Sequence, residues 1–186
     1  MILTLGAVEE QDSLLLNKGN SGLGLGEGAS SSNIVGLNIS ENLTNNSSLS
    51  FNALFSQTQG KNINNSLITG TSDIITSKFD INYEVLDYFS SDEKIILSFA
   101  QPVRVEQGSM NLRLPGLADS EGNIPHENTS LSLSPSSRQI DLSLGYYKSL
   151  GENTSIGFKG IVNQNKNHSV DGGTEMSFGT TFNYLF

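Results

Sequence analysis

The sequence predicts an all-β fold of about eight antiparallel, up-and-down strands. Three observations carry this reading. Apolar residues recur at every second position in segment after segment, which is the signature of a strand with one apolar and one polar face. Short and long turn-rich links alternate between those segments. The chain of 186 residues closes on "TEMSFGTTFNYLF", where Met176, Phe178, Phe182, Tyr184 and Phe186 share one parity and Ser177, Gly179, Thr181 and Asn183 the other.

In chain order, "SGLGLGEG" alternates Leu with Gly and places a strand between Ser13 and Gly26. Val35, Leu37 and Ile39 follow, then Leu49, Phe51, Ala53 and Phe55. Phe79, Ile81, Tyr83 and Val85 oppose Asp80, Asn82 and Glu84. Two long strands are expected next, Glu93 to Leu114 and Asn128 to Lys148, because only then do short and long links keep alternating. In both the apolar face changes parity. It is Ile95, Leu97 and Phe99 before Gln107, then Met110, Leu112 and Leu114 after Gly108. It is Leu131 and Leu133 before Pro135, then Ile140, Leu142, Leu144 and Tyr146. One bulge per strand accounts for each change, since one extra residue flips the face. The rival reading is a tight hairpin at "EQGS". Ile156, Phe158, Gly160 and Val162 complete the set before the final strand. Eight strands place both chain ends at the short-turn end. The whole, residues 1–186, is expected to be one domain, with 1–30 the part the pattern reads least clearly.

Composition narrows the function. The net charge of −9 argues against a nucleic-acid partner, which calls for a basic face. The absence of cysteine removes disulfides, thiolate metal sites and cysteine nucleophiles. No apolar run approaches the ~18 residues of a membrane-spanning helix. "MILTLGAVEEQDS" lacks a basic leader and a long apolar stretch, so it does not read as a secretory signal. Either the protein is cytoplasmic or Met1 is not the natural start of the mature product.

Alternation fits a soluble barrel with an apolar interior or a membrane barrel with an apolar exterior. Four features favour the membrane. Asp80, Asn82, Glu84, Asp141, Lys159 and Asn183 suit a wet or hydrogen-bonded lumen. The links divide into a short end and a long end, as periplasmic turns and extracellular loops do. Tyr83, Tyr146, Phe182, Tyr184 and Phe186 lie where interfacial girdles form. The chain ends in an aromatic strand.

"FAQPVRVEQGSMNLRLPG", "SLSLSPSSRQIDLSLGYYKSLGENTSIGFKG" and the aromatic C-terminus resemble the C-terminal translocator region of subtilisin-type serine protease autotransporters. The likeness runs from about Ser72 to Phe186 and is most specific at "QPVRVEQG" and "SPSSRQIDLSLGY". The resemblance implies a β-barrel in a Gram-negative, bacterial outer membrane that anchors and helps export an upstream passenger. It also implies that the chain is a piece of something larger, lacking the passenger. The partners implied are outer-membrane lipid, lipopolysaccharide, the barrel-assembly machinery and the passenger. Barrels of that family have about twelve strands, and this chain shows about eight. The alternatives are a stand-alone small outer-membrane barrel with adhesin-like surface loops, and a soluble ligand-binding β-barrel.

No catalytic residue, cofactor or metal is expected. No serine sits in the family's GTS-M-A nucleophile motif, and both histidines, His126 and His168, fall in long polar segments that read as solvated. "GNSGLGLGEG" lacks the following helix that a dinucleotide site requires. Asp119, Glu121, Glu127 and Asp171 match no calcium loop and read as solubilising charge. The sequons "NIS", "NLT", "NSS" and "NTS" read as loop chemistry. Arg104, Arg113 and Arg138 are expected to pair with Glu106 or Asp141. The candidate site is instead an assembly signal in the last strand: Ser177, Gly179, Phe182, Tyr184 and Phe186. An edge strand offers free backbone groups to the assembly machinery, and its aromatics add an apolar contact.

Overall fold

A computed structural model describes residues 1–10, 30–62 and 67–184. The strands are β1 (Ile2–Glu10), β2 (Ser30–Thr44), β3 (Ser47–Thr58), β4 (Ile68–Thr71), β5 (Ile74–Leu86), β6 (Glu93–Gln107), β7 (Ser109–Pro115), β8 (His126–Ser132), β9 (Ile140–Gly151), β10 (Thr154–Gln164) and β11 (Thr174–Tyr184). Eight form one antiparallel sheet in the order β1-β2-β3-β5-β6-β9-β10-β11. The other three form a second sheet, β4-β7-β8. The fold is therefore all-β and antiparallel, as the alternation predicts. Among the described residues the large sheet is open: β1 and β11 are its two edges and do not pair with each other.

Register carries the apolar residues across the sheet on one face. Leu5 lies opposite Val35, and Val35 opposite Phe55. Phe51 meets Ile81, Ile81 meets Phe99, Phe99 meets Leu142, Leu142 meets Val162, and Val162 meets Met176. The short turns lie between β2 and β3, β5 and β6, and β9 and β10, all at one end. Asp87 and Asp92 adopt positive φ (52° and 63°) in the second of these turns, a conformation short polar side chains tolerate. Both β1 and β11 have their outer ends at this short-turn end, where Ile2 faces Asn38 and Tyr184 faces Thr154.

Three expectations need correction. The first strand is Ile2–Glu10, within a stretch whose sequence signals only the lack of a leader. The expected strand over Ser13–Gly26, with its Gly-x-Gly-x-Gly, lies outside the described residues.

The two long strands are each broken, not bulged once. β6 shows two irregularities against β5, the first between Gln101 and Arg104. Pro102 sits there, and proline has no N–H to give the ladder. The strand then ends at Gln107, and β7 pairs with β4 and β8 instead of folding back on β6, so no hairpin forms at "EQGS". The return path is interrupted over 133–139, around Pro135, between β8 and β9.

The third correction concerns sequons. Asn38, Asn42 and Asn128 are in strands, and Asn38 bonds Asn52 across the sheet.

Buried residues gather at the long-loop end. The buried apolar side chains among the described residues are Ile68 and Ile74, accompanied by Thr58, Thr71, Thr76, Ser77 and Gln101. The ladders of the second sheet are extended by Ser72 N–H to Ser109 O (3.0 Å), Arg113 N–H to Leu67 O (2.8 Å) and Leu133 N–H to Gly108 O (3.0 Å).

The polar face has its own packing device. Tyr147 lies opposite Gly157 and two residues from Gly145. A Cβ added at Gly145 would stand 2.8 Å from the Tyr147 ring, and one at Gly157 2.7 Å from it and 2.6 Å from Thr181 Oγ1. The ring thus lies flat over two glycines, covering backbone they leave bare, with Lys94 Nζ 5.9 Å from its centroid. Gly157→Ala is expected to push the ring off and cost about 1–3 kcal/mol, the range for overpacking. Reversible unfolding of the full chain, read by tyrosine fluorescence, checks this, with Gly179→Ala as the matched control, since a Cβ there meets nothing within 4 Å.

Candidate functional site

Two surfaces and one polar cluster compete for function. The first surface is the apolar face of the large sheet, which is open to the surroundings: Leu142 is 48% exposed, Leu144 56%, Phe178 72% and Phe182 67%. Rings lie near one another along it, Phe79 with Phe99 at 6.1 Å and Phe158 with Phe178 at 6.4 Å between centroids. A solvated sheet normally buries such a face.

The opposite face is polar and internally bonded. Asn52 and Asn82 both donate to Asp80 (2.7 and 2.8 Å), and Gln139 and Asn163 both donate to Asp141 (2.7 Å each). Ser32 pairs with Thr58 (2.7 Å) and Ser56 with Thr76 (2.6 Å). Among the described residues, no buried side-chain nitrogen or oxygen lacks a partner. The polar face thus satisfies itself, and among the described residues the apolar face lacks cover.

The assembly-signal residues share the edge strand β11. Ser177 lies opposite Ile161, Gly179 opposite Lys159, Phe182 opposite Ile156 and Tyr184 opposite Thr154. Phe182 and Tyr184 fall on the apolar face, and Ser177 and Gly179 on the other. The space around Gly179 is open, so no neighbour among the described residues demands a glycine. Phe186 lies outside the described residues.

The polar cluster sits at the long-loop end and joins the end of β6 to the segment 133–139 before β9. Glu106 forms ion pairs with Arg104 and, at 2.9 Å, with Arg138, and it accepts from Ser77. Arg104 also donates to Ser137 O (3.0 Å) and Pro135 O (3.1 Å). Arg138 donates to the buried Gln101, whose amide reaches Ser77 Oγ (3.1 Å). Two of the three arginines thus pair with Glu106, as expected, and Asp141 takes amide donors instead. Arg113 has no part in the cluster.

His168 corrects its reading as a solvated histidine. It is buried; Nδ1 accepts the Gln139 N–H (2.9 Å), so Nε2 carries the proton and donates to Val103 O (3.0 Å). Both ring nitrogens are committed to backbone, which leaves no lone pair to activate a serine. No spacing rule could have revealed this, because the contact joins residues 65 positions apart.

The acidic residues Asp119, Glu121, Glu127 and Asp171 do not converge, and among the described residues no group of three His, Cys, Asp or Glu could hold a metal. Asp119 instead closes its own turn. The backbone N–H of Asn123, then that residue's amide, hold its carboxyl below the usual range.

Comparison with family models, curated proteins and solved structures yields no match to the chain.

Arg104 is the keystone of the cluster, with its side chain only 14% exposed. Arg104→Ala leaves three backbone carbonyls, those of Val105, Pro135 and Ser137, and one carboxylate short of a donor, an expected cost of ~1–3 kcal/mol. Hydrogen exchange should show amides of 133–139 losing protection while those of β2 and β3 keep theirs.

Proposed function

We propose that the chain forms a transmembrane β-barrel of a bacterial outer membrane, in which it anchors and helps export an upstream passenger. The observation that carries the membrane part is the exposed apolar face, continuous over eight strands and backed by a polar face that bonds to itself. Lipid covers such a face at no cost in unpaired polar groups. The short turns then lie on the periplasmic side and the second sheet on the outer side. Closure requires both edges of the sheet to be covered, because free backbone groups are costly in hydrocarbon. β1 and β11 run in opposite senses, as two strands that pair antiparallel must. The passenger, and the role in its export, rest on the autotransporter-like segments alone. No enzymatic role is assigned.

A stand-alone barrel with adhesin-like loops is the second reading, favoured by the strand count. Eight strands enclose only enough room for side chains. Export through this chain would then need further strands or help from the assembly machinery.

The full chain is expected to fold only in detergent or lipid; a monodisperse β-rich monomer in plain buffer would overturn the membrane reading. In bilayers Leu142→Arg should cost ~2–4 kcal/mol, while polar changes at its inward neighbour Ser143 should be tolerated. Because the chain has no cysteine, closure can be tested directly with single pairs placed on β1 and β11. Oxidative cross-linking in lipid supports eight strands, and its absence points to intervening strands.

The last strand has its own test. Phe182→Ala with Tyr184→Ala, or removal of Phe186, should block insertion in cells and leave refolding into synthetic bilayers mostly intact. Equal loss in both settings would reduce the aromatics to ordinary lipid packing, and normal insertion in cells would remove the signal altogether.

A further inference from the structure

The β4-β7-β8 sheet also has two unlike faces. One presents Met110, Leu112 and Leu131, with Met110 directly opposite Leu131. The other is mostly polar. Asn111 stands between Gly70 and Ser130 in register, Arg113 lies opposite Asn128, and Pro115 opposite His126. Thr69, Asn111, Arg113, His126, Asn128 and Ser130 line an open groove of about 710 Å³ on this face.

Three features separate this groove from ordinary solvated strand. It holds no carboxylate, although the chain has 19 acidic residues against 10 basic ones. Its cation is uncommitted: Arg104 and Arg138 are both bound to Glu106, whereas Arg113 has no side-chain partner recorded among the described residues. Its amides and hydroxyls are also largely free, the exception being Thr69, whose Oγ1 donates to Asn111 O (3.3 Å). No Leu, Ile, Val, Met, Phe or Tyr side chain lines it, which disfavours a lipid tail or an apolar peptide.

We propose that this groove binds an anionic sugar, with Arg113 recognising its carboxylate or phosphate and the flanking Asn, Ser and Thr groups its hydroxyls. The chemistry matches group by group. A guanidinium offers parallel N–H donors to the two oxygens of a carboxylate or phosphate, a geometry an ammonium cannot reproduce. Asn side chains donate and accept at once, which suits sugar hydroxyls that do the same. The net negative charge of the rest of the protein leaves Arg113 as the local attractor, so affinity should fall with ionic strength. This inference is read from the second sheet and does not depend on how the large sheet meets lipid.

The test uses the full chain in micelles, with titration calorimetry and the side-chain amide signals of Asn111 and Asn128. Three probes are compared: a galacturonate oligosaccharide, a glucosamine phosphate, and neutral maltohexaose as the uncharged control. Binding of either charged sugar at least tenfold tighter than the neutral one supports the site. Which charged probe wins separates a carboxylated polysaccharide from a phosphorylated headgroup sugar. Arg113→Ala should lose at least tenfold in affinity and Arg113→Lys less, while Glu127→Gln should not weaken binding. Asn128→Ala should weaken binding with the charge intact, which tests the hydroxyl contacts separately. Backbone amide spectra of β7 and β8 report whether each variant keeps its fold. No binding of any probe, equal binding of the neutral sugar, or full affinity in a folded Arg113→Ala variant each overturns the proposal.

Discussion

Everything in the large sheet depends on register. Side chains alternate strictly, so a slip of one residue between any two strands would send one strand's apolar set to the polar face. The tight turns at one end set that register. Thr44 and Ser47 bond across the first turn (2.8 Å). In the second, Asp92 N–H reaches Asp87 Oδ1 (2.7 Å), and Glu93 accepts from Ser90 N–H (3.1 Å) and from Tyr146 O–H (2.9 Å) on the neighbouring strand. Asparagine, glutamine and aspartate then hold the middle, since Asp80 and Asp141 each collect one amide from a neighbouring strand and one from two residues away along their own segment. A misregistered strand would leave those carboxylates without donors, so the polar face checks what the turns set.

Much of this was legible because it is local. Period two and turn composition are properties of a few consecutive residues, and they located β2, β3, β5, β9, β10 and β11. β1 escaped notice because "LTLGAVEE" alternates weakly and ends in two glutamates. The parity changes near Gly108 and Pro135 were visible, but their cause was not. Parity reports that the face changes, not whether a strand bulges or leaves its sheet. The decision lies with partners far along the chain: β4 captures β7, and Arg104 captures the carbonyls of Pro135 and Ser137. His168 is the same case, a loop residue in sequence and a buried bridge in space.

The long-loop end shows what replaces alternation once the chain leaves the large sheet. By alternation Ser77 and Gln101 belong to the apolar face, since Gln101 lies opposite Phe79. Here they are buried under 133–139 and the turn that carries His168, and they bond to Arg138, Glu106 and each other. An exposed glutamine on an apolar face would disrupt lipid contact; one sealed beneath a charged clamp does not. The apolar surface therefore ends where the cluster begins. That boundary falls at the start of β9, where β6 and β9 also cease to pair beyond Ala100 and Asp141.

The open edges are the remaining constraint, and they bear on any account of the apolar face. β1 over 2–9 and β11 are exposed along their length, and among the described residues each has one side free of strand partners. In water such edges invite association with other chains. In hydrocarbon they would leave a row of unpaired N–H and C=O groups, each costing several kcal/mol. On the membrane reading proposed above, the apolar face asks for lipid while the edges forbid it until they are covered. Pairing β1 with β11 answers both demands at once: Leu3 and Leu5 would join Phe178, Phe182 and Tyr184 in one unbroken apolar band. Further strands inserted between them would answer the demands equally only if they repeated the same alternation in the same register. The edge that must be covered last is the same strand that carries Ser177, Gly179, Phe182 and Tyr184. On the membrane reading proposed above, a strand that stays unpaired until closure is the one whose free backbone groups an assembly partner can reach.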